Sequence, residues 1–114
     1  MEMLPACPIE AALQILNNSW KILIIRDLST GTKRFGELKN SVTGISPKVL
    51  TGNLRSMEEV GVLQRKVFAE IPPRTEYTLT ELGESLIPVI NAFGKWGAEF
   101  QKNYRKYLNT GSED

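Results

Sequence analysis

GISPKVLTGNLRSMEEVGVL, residues 44–63, is the stretch that decides how this chain is read. Ser46-Pro47 is a helix entry, a capping hydroxyl followed by a residue whose φ is preset for the first turn. Gly61 supplies the stop. At 100° per residue, Val49, Leu50, Leu54, Met57 and Val60 fall on one side and predict a helix over 46–60 with that side inward. The opposite side carries Ser46, Lys48, Thr51, Gly52 and Arg55. A small, polar, basic face of this kind is ordinarily just solvated. Alone it identifies nothing, so the flanking segments must give it meaning.

Upstream, Pro8 suits a first turn with Cys7 at the N-cap, and Ile9, Leu13 and Leu16 carry the helical period. Asn17-Asn18 breaks that helix, and Ser19 is positioned to cap a second over 20–28, with Trp20, Leu23, Ile24 and Leu28 inward. Residues 35–42 read as a short third helix with Phe35 and Leu38 inward. Downstream, residues 63–68 alternate and residues 75–79 are rich in Thr and Tyr, so both read as strands. Between them Glu70-Ile71-Pro72-Pro73-Arg74 is too proline-rich for a tight two-residue turn. Thr80 caps a final helix whose apolar residues Leu82, Leu86, Val89, Phe93, Trp96, Phe100 and Tyr104 recur every three or four positions. Pro88 within it predicts a kink, and the segment 109–114 reads as a frayed tail.

Composition limits the options. The 114 residues are 41% hydrophobic and 24% charged, with a net charge of +1, the balance of one small globular domain over 1–108. No apolar run is long enough to span a membrane and no signal peptide is evident, so a cytoplasmic protein is expected. The single cysteine cannot close an intrachain disulfide. Histidine is absent, which removes the commonest general base, a common metal ligand and every Ser-His or Cys-His nucleophile. No paired-cysteine spacing or phosphate-cradling glycine loop occurs. Neither an enzyme nor a cofactor or metal is expected.

Three short helices, a capped helix with a basic outer face and a two-stranded hairpin form the order of a winged helix-turn-helix: mainly α with a small β-wing, its DNA-binding core over about 19–79. In that architecture the fourth helix enters the major groove, where Arg and Lys meet guanine O6/N7 and Thr meets a thymine methyl or a phosphate. Ser46, Lys48, Thr51 and Arg55 are the candidate contacts there. Arg65, Lys66 and Arg74 on the wing (65–78), with Lys33 and Arg34 ahead of the helical hairpin, are candidates for gripping phosphates or the minor groove. Charge distribution agrees: residues 33–78 hold 8 basic and 5 acidic side chains, leaving the flanks net negative. The bland reading of Arg74 is a loop arginine paired with Glu70 or Glu76. A winged helix that binds another protein instead of DNA is the alternative function.

The segments CPIEAALQIL, NNSWKILIIRDLSTGTKRFGELK, GISPKVLTGNLRSMEEVGVLQRKVF and PPRTEYTLTELGESLIPVINAFGKWG together resemble the HxlR-type regulators, a MarR-like winged helix family. The resemblance runs from Cys7 to Gly97. It implies a homodimeric transcription factor on an inverted-repeat operator. Two departures stand out: Asn17-Asn18-Ser19 where the family usually has glycines, and Gly52 where it has a bulkier polar residue.

The aromatic stripe of the last helix continues past anything a small winged domain can cover. A second subunit is the expected partner, with Ile9, Leu13, Val89, Phe93, Trp96, Phe100 and Tyr104 at the interface, so that the terminal helices form the dimer. Cys7, at a helix N-terminus where the dipole favours thiolate, has two readings. One is a buried, inert residue under the dimer helices; the other, which the resemblance supports, is a site for an oxidant or small electrophile.

Overall fold

The computed structural model describes residues 4–112, with side chains described as far as residue 108. Helix α1 (Pro8–Leu13) begins with Cys7 at the N-cap and Pro8 in the first turn. Helix α2 (Ser19–Leu28) is capped one residue earlier than the sequence suggested: Asn18, not Ser19, is the N-cap, its Oδ1 accepting from the Lys21 amide at 3.0 Å. Helix α3 (Phe35–Ser41) opens with the Glu37 carboxylate accepting from the Arg34 amide at 2.8 Å.

Helix α4 (Pro47–Glu59) is entered as expected, with the Ser46 hydroxyl accepting from the Val49 amide at 3.1 Å. Its end is a left-handed glycine turn: Gly61 has φ 83°, and the Val62 amide reaches back to the Met57 carbonyl at 2.9 Å. Only a glycine takes that φ without strain.

Strands β2 (Leu63–Phe68) and β3 (Arg74–Leu79) pair antiparallel, Leu63 opposite Leu79 and Phe68 opposite Arg74. A third strand had no sequence signal. β1 (Lys33–Arg34) pairs with the other edge of β3, placing Lys33 opposite Tyr77 and Arg34 opposite Glu76, so the sheet order is β1-β3-β2. The basic pair ahead of the helical hairpin is thus a fixed strand and not a loop.

The chain then turns over the end of α4. Thr80 caps α5 (Glu81–Glu84), its hydroxyl accepting from the Gly83 amide at 3.2 Å and donating to the Gly61 and Val62 carbonyls. A Cβ at Gly83 would stand 2.1 Å from the Val62 carbonyl oxygen, so this contact admits no side chain. The final helix is divided. After α5 come α6 (Ile87–Lys102) and α7 (Tyr104–Ser112). Pro88 does not kink a continuous helix; it sits in the first turn of α6, where its missing N–H costs no hydrogen bond. Residues 109–112, expected in a frayed tail, continue α7, and residues 113–114 lie outside the described residues.

The core lies where α2, α3 and α4 meet the sheet, with Ile24, Ile25, Leu38, Leu50 and Val62 fully buried. Val49, assigned inward by its period, is 39% exposed at the α4 N-terminus. Asn53 and Lys21, both polar, are buried instead. α6 is the opposite case: none of its sixteen residues is buried. The molecule extends 61 × 36 × 23 Å, and its radius of gyration of 17.1 Å exceeds the ~13 Å of a compact chain of this length. No helix of the described residues is long and apolar enough to cross a membrane.

Candidate nucleic-acid interface

The basic face of α4 is built by its own apolar side. Leu50, Leu54 and Met57 are buried against the core, which forces Lys48, Gly52 and Arg55 outward, with Thr51 half-buried at the border. Ser46 stands exposed at the N-terminal end, its hydroxyl spent on the cap. Lys48 and Arg55 are both exposed. A shallow groove of about 620 Å³ beside them is lined by Asn17, Lys21, Lys48, Gly52 and Ser56, with no carboxylate among its lining residues.

Strand register divides the other candidates. Arg65 lies opposite Tyr77, and Tyr77 is buried beneath the end of α4, so Arg65 shares the side on which α4 lies. Its Nε is 3.7 Å from Glu58 Oε1 of α4. Thr51, Arg55, Glu58, Arg65 and Tyr77 line one small cleft at this junction. The electrostatics record the same crowding: burial pushes the Tyr77 phenol up, Glu58 adds to that, and Arg65 and Arg55 oppose it. Lys48, Thr51, Arg55 and Arg65 therefore form one continuous strip across helix and wing.

Lys66 and Arg74 belong to the other face of the wing, since Lys66 pairs with Glu76 and Phe68 with Arg74. There the Arg74 guanidinium is enclosed. It lies 2.8 Å from Glu70 and 3.1 Å from Glu76, and stacks 4.0 Å over the Phe68 ring, with Lys66 on the same ring at 4.9 Å. The contact of Arg74 Nε with Glu76 is an ion pair off the hydrogen-bond line. The sequence alternatives for Arg74, Glu70 or Glu76, are thus both realised. Arg34 is exposed on β1 opposite Glu76, and Lys33 donates to the Thr30 hydroxyl at 3.1 Å.

Cys7 is exposed and its side chain makes no cap hydrogen bond. The aromatic stripe is also open to solvent: Phe93 is 64% and Trp96 67% exposed. Trp96 stacks on Phe100 at 5.4 Å, and Phe100 meets Tyr104 edge-on at 5.8 Å and Tyr107 at 6.0 Å. Ile9, Leu13 and Val89 are exposed as well. Phe93, with Ile22, Leu23 and Ile90, also borders an apolar recess of about 330 Å³ between α2 and α6.

The HxlR-like helix-turn-helix family profile matches residues 15–105. The chain belongs to that family. It is 43% identical over 94 residues to an uncharacterised HTH-type transcriptional regulator of Synechocystis, covering 82% of this chain and 70% of the relative. Among solved structures, a MarR-family transcriptional regulator of Porphyromonas gingivalis superposes on the HxlR-like chain with a TM-score of 0.81 at 37% identity, covering 87% and 97% of the two chains. The redox regulator HypR in its reduced form matches with a TM-score of 0.81 at 32% identity, over 89% of this chain and all (100%) of the other. Its oxidised form matches at 0.77. The winged-helix architecture of this HxlR-like protein is that of these neighbours.

Sequence reasoning missed two polar residues of this region. Asn53 and Ser56 sit on the inner side of α4, where Asn53 bonds Asn18 and Ser56 bonds Lys21. Their signal was present as polar residues adjoining an apolar stripe.

Proposed function

We propose that this HxlR-like chain is a homodimeric, sequence-specific DNA-binding repressor of transcription, located with the DNA in the cytoplasm. Family membership makes it a transcriptional regulator with a helix-turn-helix fold and not an enzyme. The observation that carries the finer reading is the strip of Lys48, Thr51, Arg55 and Arg65, cationic and continuous across α4 and the wing. α4 lies in the major groove, with Lys48, Thr51 and Arg55 reaching base edges or phosphates and Ser46 at the helix entry beside the backbone. Arg65 grips a phosphate next to it. Arg34, Lys33, Lys66 and Arg74 serve the flanking backbone or minor groove, Arg74 by holding the wing in shape.

Dimerisation follows from the unburied apolar surface of α1, α6 and α7, which is too large and too aromatic for a stable monomer surface. A two-fold dimer presents its two α4 helices to half-sites about 34–36 Å apart, hence to an inverted repeat. Repression is the simplest consequence of occupancy, since a dimer seated on DNA excludes other proteins from it.

Cys7 is the proposed switch. Its exposure leaves the thiol open to an oxidant or electrophile, and a similar regulator, HypR, is described in reduced and oxidised forms. Peroxide would convert the thiolate to a sulfenic acid, which condenses with a second thiol and releases water. With one cysteine per chain, that thiol belongs to the other subunit or to a small molecule.

The test is fluorescence anisotropy of reduced protein on the DNA upstream of its own gene, titrated with salt and repeated after oxidant. Tight, salt-sensitive binding that Lys48→Ala or Arg55→Ala weakens, and that oxidation abolishes in the parent but not in Cys7→Ser, is the expected result. No DNA binding of any kind would replace this reading with a protein-contact module.

A further inference from the structure

We infer that Asn18, Lys21, Asn53 and Ser56 form a positioning ladder that sets the rotation and register of the recognition helix. The inference rests on the reading of α4 as the DNA-contacting helix. Asn18 Nδ2 donates to Asn53 Oδ1 at 2.9 Å, and Lys21 Nζ donates to Ser56 Oγ at 2.9 Å. Both bridges join residues 35 apart in sequence. The rungs therefore advance in the same sense, from Asn18 to Lys21 and from Asn53 to Ser56. Asn18 is itself fixed by the Lys21 amide, and Asn53 by donating to the Val49 carbonyl at 2.9 Å. The Asn18–Asn53 rung is thus anchored at both ends.

The hydrophobic free energy that holds α4 on the domain is non-directional, and side-chain packing sets a helix's angle only within a scatter of about 15–20°. Hydrogen bonds do define it, since they weaken within a few tenths of an ångström and a few tens of degrees. At 100° per residue Asn53 points about 160–140° away from Thr51, Arg55 and Lys48. With an outer radius of about 5–6 Å, a 20° roll of α4 would carry those side chains roughly 2 Å, enough to break any bidentate base contact. Lys21 is 5% exposed and Asn53 9% exposed, so neither is placed to touch DNA itself. A buried ammonium tied to one hydroxyl is weak support for stability, and an apolar pair of similar volume would hold the helices as well. Its contribution is geometric.

The test uses DNA selected from a random pool by the parent protein, with anisotropy on that site and on unrelated DNA. Lys21→Met/Ser56→Ala removes one rung without stranding a buried charge. The expected result is an unchanged melting curve, unchanged affinity and salt slope on unrelated DNA, and at least a tenfold loss on the selected site. Ser56→Thr, which keeps the hydroxyl, retains selectivity. If the double variant does not fold, Asn53→Leu reads the other rung in the same way. A folded variant with undiminished selectivity overturns the inference, as does a loss of about one unit of salt slope, which would make Lys21 a phosphate ligand. Failure of the underlying reading is separate: the parent itself would then select no site.

Discussion

Arg65 of the wing stands 3.7 Å from Glu58 of α4, bridging the helix and the hairpin. Glu58 thereby holds the arginine beside Arg55, while Arg74, on the far face of the same hairpin, is closed in by Glu70, Glu76 and Phe68. The arginines should differ in salt dependence. Each phosphate contact contributes about 0.9 to the slope of log affinity against log salt. Arg65→Ala is expected to reduce the slope by about one unit and Arg74→Ala to leave it nearly unchanged, with anisotropy over a salt series as the measurement.

Gly52 separates stability from binding. A Cβ at this position meets nothing within 4 Å, so the fold does not require glycine. Gly52→Ala should raise stability by up to about 1 kcal/mol, the ordinary helix preference for alanine. If the Gly52 face approaches the DNA backbone, the same methyl should weaken operator binding. The expected pair of results is a higher melting temperature and a lower affinity, read by circular dichroism and anisotropy on one preparation.

Asp27 ties α2 to α3, accepting from the Ser41 hydroxyl at 2.6 Å and pairing with Arg26 at 2.8 Å. Burial pushes its carboxyl up, but hydrogen bonds from Arg26 and Ser41 and the charges of Arg26 and Lys33 outweigh that, leaving it below its ordinary value. A carboxyl lowered in the folded state stabilises fully above about pH 4. That stabilisation is lost as pH falls through the folded value. Asp27→Asn should cost less than about 1 kcal/mol at pH 7, since the pair is partly solvated. The difference between variant and parent should shrink in urea melts as pH falls below the ordinary carboxylate range.

The exposed rings of Phe93 and Trp96 make the dimer testable without DNA. A charge at either position is harmless in a monomer, where both are in solvent, but is buried unpaired in a dimer. Phe93→Asp/Trp96→Asp should therefore halve the mass seen by light scattering at micromolar concentration while helicity persists. DNA affinity should fall steeply, because the second half-site is lost. A parent protein of monomeric mass would contradict the dimer.

Much of this was legible beforehand for local physical reasons. The caps at Ser46 and Thr80, and the stop at Gly61, are signals carried by a few neighbouring residues, and each acts where it was expected. β1 was not legible because a two-residue strand has no period; it exists only as an edge for β3 to pair with. The cap shift from Ser19 to Asn18 turns on which of adjacent capping residues is also needed by Asn53, a tertiary fact. Val49 follows the stripe, but it lies at the stripe's edge and borders the groove with Asn18 and Lys21, while Leu50 beside it takes the core position. For the interface, the outward row on α4 was readable from period alone. The union of that row with Arg65, and the separation of Arg74 from it, depended on strand register.

In the proposed complex two copies of α4 enter successive major grooves. Methylation interference at guanine N7 on the selected operator tests it most directly. Two patches of interference on one side of the duplex, related by a two-fold axis and centred about 10–10.5 base pairs apart, are expected, both lost with Arg55→Ala. A single patch, or binding that no guanine modification disturbs, would contradict it.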